Sequence, residues 1–438
     1  MTSSNGTPPS SASLRWWVLA FASILTFGSY FAYDSISAIS TTLLGAYNVQ
    51  REQLGLLYSM YSIAAILTVF LGGMLIDRIG TRRASLLFSI TVMVGAAIVA
   101  FAPNIYVAYV GRFVFGAGSE SLVVAQNAIL SRWFRGKELA LAFGISLTIS
   151  RLGTLFTYNT EALIATRYGY LAALWVAAAL CGVSVLANLV YNMIDLRGEK
   201  SLGLQEAGGG DKIVFSDVRR FRASYWYVVA LCVTFYSAIF PFQSLAPDFF
   251  HDKWGLPSTT APEGSGFFYA AVYDFFNMGR TAPGTTQIII FASMCLAPFA
   301  GRLVDRFGRR ASLMIVGSLL LTVAHATMGL TQLVPWVPMI VLGAGFVLVP
   351  AAMWPSVPLL VEKERVGTAF GLMTMIQNIG LALFPWLNGR LRDTTQTYTA
   401  SMLMFAGLGV CGLVFALLLR RADARERHVL ELPSGRAS

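Results

Sequence analysis

The sequence predicts an all-α membrane protein: twelve transmembrane helices in two pseudo-symmetric six-helix bundles. Composition is the first ground. Of 438 residues, 56% are hydrophobic and only 12% charged, with a mean hydropathy of +0.63, whereas soluble domains run near about 25% charged. The second is recurrence. Apolar runs of the roughly 20 residues that cross about 30 Å of hydrocarbon return along the whole chain. The third is a loop that occurs twice, GGMLIDRIGTRRASLL at 72–87 and AGRLVDRFGRRASLM at 300–314.

Residues 1–13, MTSSNGTPPSSAS, read as a disordered polar tail. The tail has no basic stretch and no small-residue cleavage site follows, so the first run, 14–40, reads as a retained helix rather than a signal peptide. That run carries Tyr33 and Asp34. Run two, 52–75, holds Tyr58 and ends at the first loop copy. Runs 84–102, 105–131, 138–162 and 168–194 complete the first bundle (14–194). The polar segment 195–222 is then a linker, and its end, IVFSDVRRF, reads as a short amphipathic surface helix.

The second bundle (223–420) opens with run seven, 223–249, which carries Tyr236 and Gln243. The segment 251–282, containing FFYAAVYDFFNM, has no counterpart of similar length between runs one and two; it reads as a lid, a docking surface or a tolerated insertion. Run 283–303 leads into the second loop copy. Run 311–331 contains His325, read as structural. Run 334–361 contains Trp354 and Pro350, Pro355 and Pro358, each of which removes a backbone donor and favours a kink, either a bending gate or a static bend. Runs 366–389, with Gln377 and Asn378, and 398–420 finish the bundle before a tail at 421–438. Neither end shows a lipidation motif. Cys181, Cys232, Cys295 and Cys411 fall inside runs and read as packed thiols, neither disulfides nor metal ligands.

A net charge of +10 raises the question of nucleic acid. With both ends on one side, six of the 32 lysines and arginines lie on the other (Arg51, Arg167, Lys253, Arg280, Arg390, Arg392), and two, Arg112 and Arg151, lie within runs. All the rest fall in tails and loops on the side of the termini. This is the positive-inside asymmetry with both termini cytoplasmic, so the basic balance expresses topology and no nucleic acid is expected.

The loop copies share G-x-L-[IV]-D-R-[IF]-G, and Asp77 and Asp305 stand 228 residues apart; a second landmark, AFG, repeats with Phe143 and Phe370 separated by 227. Two landmarks at nearly one offset indicate a duplicated six-span unit, the build of many secondary transporters. Within the loops, Gly73 and Gly301 are expected where neighbouring helices approach closely. Gly80 and Gly308 permit a tight turn. Asp77 and Asp305, with Arg78, Arg82, Arg306 and Arg310, are expected to make and break contacts between bundles as a conformational latch. A plain basic turn that only sets orientation is the alternative.

The motif G-x-L-x-D-R-x-G-x-R resembles the signature loop of the major facilitator superfamily, and the resemblance covers essentially the whole chain. Within it, GRFVFGAGSESLVVAQN (111–127) followed by WFRGKELALAFGISLTISRLG (133–153) resembles the lysosomal dipeptide uniporter branch, as does Tyr33-Asp34. The resemblance implies the major facilitator fold, a dipeptide as the small-molecule substrate, uniport, and an accessory subunit for which the sequence holds no indication.

Two mid-run charges carry the functional reading. An ionised side chain at the bilayer centre costs about 2.5–3.5 kcal/mol or more, so it needs a partner or a wet cavity. Glu120 and Arg151 lie well inside their runs, and at the 227-residue offset they match Val347 and Asn378. A scaffold pair needed by the fold would be expected in both bundles. A dipeptide presents an ammonium and a carboxylate roughly 5–7 Å apart; Glu120 suits the first and Arg151, with its planar fork, the second. The resemblance implies the same assignment. The alternatives are that the two residues pair with each other, or that Glu120 carries a proton.

Arg112 and Gly116 resemble the superfamily's helix-four arginine motif, although Phe115 stands where the family has glutamine. A structural or gating role is expected. The Gly-Pro motif of drug/proton antiporters is absent from run five. Tyr33, Asp34, Tyr58, Gln126, Asn127, Tyr236, Gln243, Trp354, Gln377 and Asn378 are further candidates to line a cavity. No nucleophile–base set, metal cluster or phosphate loop occurs, so neither an enzyme nor a cofactor is expected. The sequence therefore predicts a dipeptide transporter working by alternating access in a plasma or bacterial inner membrane, with the lipid bilayer as its surroundings. The rivals are a carboxylate exchanger or proton-coupled symporter of the same superfamily, and a non-transporting receptor.

Overall fold

The computed structural model describes residues 11–134, 138–202, 221–362, 365–426 and 429–432. The N-terminal half comprises α1 (Ser11–Ala38), α2 (Ser40–Tyr47), α3 (Arg51–Phe101), α4 (Ile105–Trp133), α5 (Leu139–Tyr168) and α6 (Tyr170–Leu202). The C-terminal half comprises α7 (Ala223–Gln243), α8 (Ala246–Trp254), α9 (Phe267–Phe276), α10 (Ala282–Phe307), α11 (Arg310–Leu330), α12 (Trp336–Leu360), α13 (Val366–Thr395) and α14 (Thr399–Glu426). Two faces follow from the connections: a terminal face, where α1 starts and α14 ends, and a far face carrying α2, α8 and α9.

Helix α3 is two spanning segments joined at Gly80, whose backbone (φ 81°, ψ 161°) is a region that only glycine enters without strain. The equivalent turn uses Gly308 (φ 66°, ψ −108°) between α10 and α11. A methyl group at position 80 strains the chain by about 1–3 kcal/mol, so Gly80→Ala is expected to lower the unfolding temperature of the purified protein. An unchanged melting curve would refute the strained turn.

Eleven of the described segments are long and apolar enough to cross a membrane, with α3 supplying two. The twelfth predicted run is α5. Its 30 residues suffice in length, and it carries Arg151, Glu161 and a row of Ser, Thr and Asn residues. These groups are largely turned inward: Thr157 and Tyr158 hydrogen-bond to Phe31 and Ser37 of α1, and Glu161 is fully buried.

Several predicted boundaries shift. Helix α6 continues to Leu202, so the linker starts later than 195; the surface helix expected at 213–221 falls, apart from Phe221, outside the described residues, as do residues 1–10. Helix α14 extends to Glu426, and residues 429–432 dock on the start of α11, where Ser312 hydrogen-bonds Glu431 and the Arg310 backbone N–H meets Leu430. The tail is thus partly structured. The prolines of α12 leave it one continuous helix. Cys181 and Cys232 are buried, whereas Cys295 and Cys411 are exposed on their helices, which corrects the expectation of four packed thiols. His325 sits in an aromatic cluster with Phe242 and Phe405, its Nδ1 3.0 Å from the Leu321 carbonyl.

Candidate substrate site

The bonds between the halves concentrate at the far face. The Asp393 carboxylate of α13 accepts from the first backbone amides of α3, Arg51 N–H (3.3 Å) and Glu52 N–H (2.7 Å). One half thereby supplies a helix N-terminus and the other its capping anion, an arrangement favoured by the free amides and the helix dipole. Arg51 reaches Asp248 of α8 through Nε (2.5 Å) and Nη2 (3.3 Å), and Tyr398 donates to the same carboxylate. Burial and the adjacent Asp248 carboxylate hold the Tyr398 hydroxyl well above the usual phenol range, so it keeps its proton. Trp386 Nε1 donates to Glu52 (2.8 Å), and Ser37 donates to the Gln243 carbonyl (2.5 Å).

At the terminal face the contacts described for Arg82 and Arg310 lie within their own halves. A methyl group placed on Gly73 or Gly301 would meet no neighbouring helix within 4 Å, which corrects their assignment as close-approach positions in this conformation. Asp77, Arg78 and Arg306 are exposed, and Arg82 reaches Asp195 of α6 within its own half (3.7 Å). Arg310 donates to the Leu432 carbonyl of the C-terminal segment (3.2 Å). The side chain of Asp305 lies outside those described.

Between the faces, Arg151 of α5 stacks its guanidinium over Tyr30 of α1 (5.5 Å), Phe240 of α7 (6.0 Å) and Phe346 of α12 (5.1 Å). It therefore touches both halves, held by three ring faces of the kind that attract a cation. Phe240 stacks on Tyr236 (5.7 Å), Tyr236 accepts from Trp354 Nε1 (2.9 Å), and Trp354 lies against Phe370. Glu120 of α4 accepts from the Tyr61 hydroxyl at 2.7 Å. Among the described residues no ion pair joins Glu120 to Arg151. Tyr30 lies within charge range of both, and of Asp34, which is buried on α1 and within charge range of Arg151 and Arg112.

Exposure gives the cavity a direction. On α5, Thr148 and Gly144, one and two turns from Arg151 toward the terminal face, are exposed, while Tyr158 and Ala162 on the far side are buried. On α4 the face of Glu120 continues through Val124 to the exposed Asn127 and Ser131. Glu120 and Arg151 are each partly exposed, and on both helices exposure rises from them toward the terminal face.

The other candidates separate. Tyr33 packs edge-on to Tyr58 (5.2 Å) and Tyr61 (4.8 Å) beside the Glu120 group. Tyr58 is buried and donates to the Tyr33 carbonyl, so it packs helices rather than lining the space. Gln126 joins Ala22, Thr26 and Ser146 inside the N-terminal half. Gln243 belongs to the far-face closure. Gln377 accepts from the Cys232 thiol (3.3 Å), and Asn378 is buried against its own helix. Arg112 is 1% exposed, directed at the carbonyls of Leu57, Ala32 and Tyr33 and ringed by Tyr33, Tyr58, Tyr61 and Phe115. Beside it Gly116 lets α4 approach the backbone of Tyr61. This is a structural arrangement.

Tyr30, Tyr61, Phe240, Phe346 and the far-face group are not legible in the sequence as site residues. Their only sequence signal is an aromatic or polar residue within a run or at its end, which packing alone also produces. Among the described residues no cluster of three metal-ligating side chains occurs.

The sequence profile described as the Major Facilitator Superfamily matches residues 20–279 and 276–437. The chain is 33% identical over 92% of its length to the lysosomal dipeptide transporter MFSD1 of Danio rerio, covering 86% of that protein. To the human MFSD1 it is 32% identical over 95% of its length and 88% of the relative's. The hexuronate transporter of Bacillus subtilis is 21% identical over 87% of this chain and 89% of its own. Among solved structures, a point mutant of the nucleoside transporter NupG superposes with a TM-score of 0.70 at 14% identity, covering 92% of this chain and 99% of that one, a likeness of fold alone.

Proposed function

This chain belongs to the major facilitator superfamily, a membrane transporter rather than an enzyme, and we propose that its cargo is a dipeptide held by its two charged ends. The observation that carries this reading is the pair Glu120 and Arg151. Both are partly exposed, both lie within charge range of Tyr30, and among the described residues no ion pair joins them. A zwitterion answers both, its ammonium on the Glu120 carboxylate and its carboxylate on the Arg151 fork. The N-terminal half contributes the charges. The C-terminal half contributes a wall of Phe240, Phe346, Tyr236 and Trp354, whose rings accept side chains of many shapes. Broad side-chain selectivity follows.

The substrate class for which the MFSD1 relatives are named supports the same cargo. Transport proceeds by rocking of the halves about the central site. In the conformation described, the site communicates with the terminal face, which the arginine and lysine asymmetry assigns to the cytoplasm. The driving force is the gradient of the dipeptide itself, as a uniporter, in a plasma or bacterial inner membrane. The relatives are lysosomal by name, which leaves the host membrane of this chain a proposal.

A thermal-shift panel of dipeptides, monocarboxylates and dicarboxylates tests the cargo. Stabilisation by dipeptides, lost on blocking either terminus, is expected. Stabilisation by acids alone would replace the dipeptide with an organic anion bound on Arg151, the reading that the hexuronate relative favours. Uptake into proteoliposomes with and without a proton gradient tests the coupling: equal rates are expected, and uptake that requires the gradient would make the chain a symporter.

A further inference from the structure

On the outer wall of the C-terminal half, α10 and α12 leave between them an apolar groove of about 450 Å³, within the roughly 300–1,000 Å³ of pockets that hold a ligand. Phe291, Cys295 and Leu296 of α10 line one side, Trp336 and Ile340 of α12 the other, and Gly279 stands at its head near the far face. Phe291, Cys295, Trp336 and Ile340 are exposed, so no other part of the chain fills the groove among the described residues. Along α10 the lining from Ile288 to Leu296 runs about 12 Å, most of the roughly 15 Å of hydrocarbon in one leaflet.

The chemistry changes at the mouth. Arg280, exposed and next in sequence to Gly279, forms no ion pair among the described residues. Trp336 lies at the same end of α12, where a spanning helix meets the headgroup layer that tryptophan favours. Helix α9 borders this end. Its Phe275 packs on Phe291 (6.0 Å), while Phe268 and Phe276 are 81% and 80% exposed. Its opposite side, at Ala270 and Ala271, packs on Leu163 of α5. A short helix with one docked face and one aromatic face is suited to lie in the interface.

We propose that this groove binds one phospholipid of the far-face leaflet, with an acyl chain between α10 and α12 and the phosphate on Arg280. A cation beside an interfacial tryptophan, at the head of an apolar slot that runs most of one leaflet's depth, matches the three parts of that molecule. Arg280 supplies the fork that phosphate oxygens accept, Trp336 covers the glycerol region, and the groove takes the chain. A protein partner would leave Arg280 without its anion and would have to enter the hydrocarbon. The site is separate from the dipeptide reading and stands whether or not that reading holds.

The test uses the full chain reconstituted in phosphatidylcholine vesicles containing phosphatidylglycerol with a diazirine at mid-chain. After irradiation, adducts are mapped by mass spectrometry. They are expected to concentrate on 288–296 and 336–340, above the level at Val316 and Val323, exposed positions of α11 that report ordinary annular contact. Arg280→Gln and Cys295→Trp, both at exposed positions, are each expected to lower the groove adducts roughly tenfold, which corresponds to about 1.4 kcal/mol. Labelling at the groove no higher than at Val316 and Val323 would overturn the site. Equal labelling by a diacylglycerol bearing the same chain, or indifference to Arg280→Gln, would overturn the phosphate contact. Unchanged unfolding temperatures establish that the variants are folded; should Cys295→Trp unfold, Arg280→Gln decides.

Discussion

Arg151→Ala should abolish saturable dipeptide uptake in proteoliposomes, and Glu120→Gln should weaken it nearly as far. Removing one partner of a desolvated, hydrogen-bonded charge pair costs about 2–5 kcal/mol, a loss of roughly 30-fold to several thousand-fold. Arg151→Lys keeps the charge but not the planar fork, and should fall between Arg151→Ala and the parent. The decisive experiment pairs each variant with a blocked substrate. If Glu120 holds the ammonium, an N-acetylated dipeptide should already have lost what Glu120→Gln removes, so the two losses should not add. A C-terminally amidated dipeptide should behave likewise with Arg151→Ala. Losses that add in full would show that the residue and the terminus do not meet. Arg151 is braced by Tyr30, Phe240 and Phe346, and Glu120 by Tyr61. Thermal unfolding therefore accompanies each measurement, to separate a lost contact from a lost brace.

Asp393→Ala should open the far face. Its carboxylate caps the first two amides of α3 from the opposite half. Loss of a helix N-cap costs about 0.5–2 kcal/mol, and all of it falls on the closed conformation. The ratio of open to closed molecules should rise by about two- to thirty-fold. Asp248→Asn should push further in the same direction, because it discharges the carboxylate that holds both Arg51 and Tyr398. Spin labels at Ala46→Cys on α2 and His251→Cys on α8, both exposed, straddle the closure. Pulsed dipolar spectroscopy should show a longer-distance population that grows in each variant. A distance distribution identical to the parent's would eliminate the far-face group as the gate.

The two predictions differ in how visible their residues are in the sequence. Glu120 and Arg151 stand out because a charge in an apolar run is rare and expensive, and because Val347 and Asn378 replace them in the other half. Asp393 and Asp248 sit at run ends among other polar residues, where a charge is ordinary. Nothing local distinguishes an aspartate that caps a helix of the other half from one that faces water. The same blindness applies to α5. Its polar residues read as a mixed face, yet Thr157, Tyr158 and Glu161 are turned inward. The duplicated loop reads as a latch because it recurs, but a side chain at Gly73 or Gly301 would meet no neighbouring helix here. A contact that exists in one conformation leaves no separate trace in sequence.

The chain by itself determined the number of spans, their order, the duplication and the residues that do not belong in hydrocarbon. Each of these is a local demand: about 20 apolar residues are needed to cross the bilayer wherever they occur, and an ionised group is costly at mid-depth in any fold. Tertiary structure alone decided which side chains meet. It set Arg151 against rings from both halves, left Glu120 to Tyr61, buried Arg112 among carbonyls and aromatics, and closed the far face with Asp393 and Asp248. Those contacts join residues as far apart as 342 positions, and their geometry depends on how two nearly independent bundles lean together. That lean is a property of packing and of conformational state, which no single segment encodes.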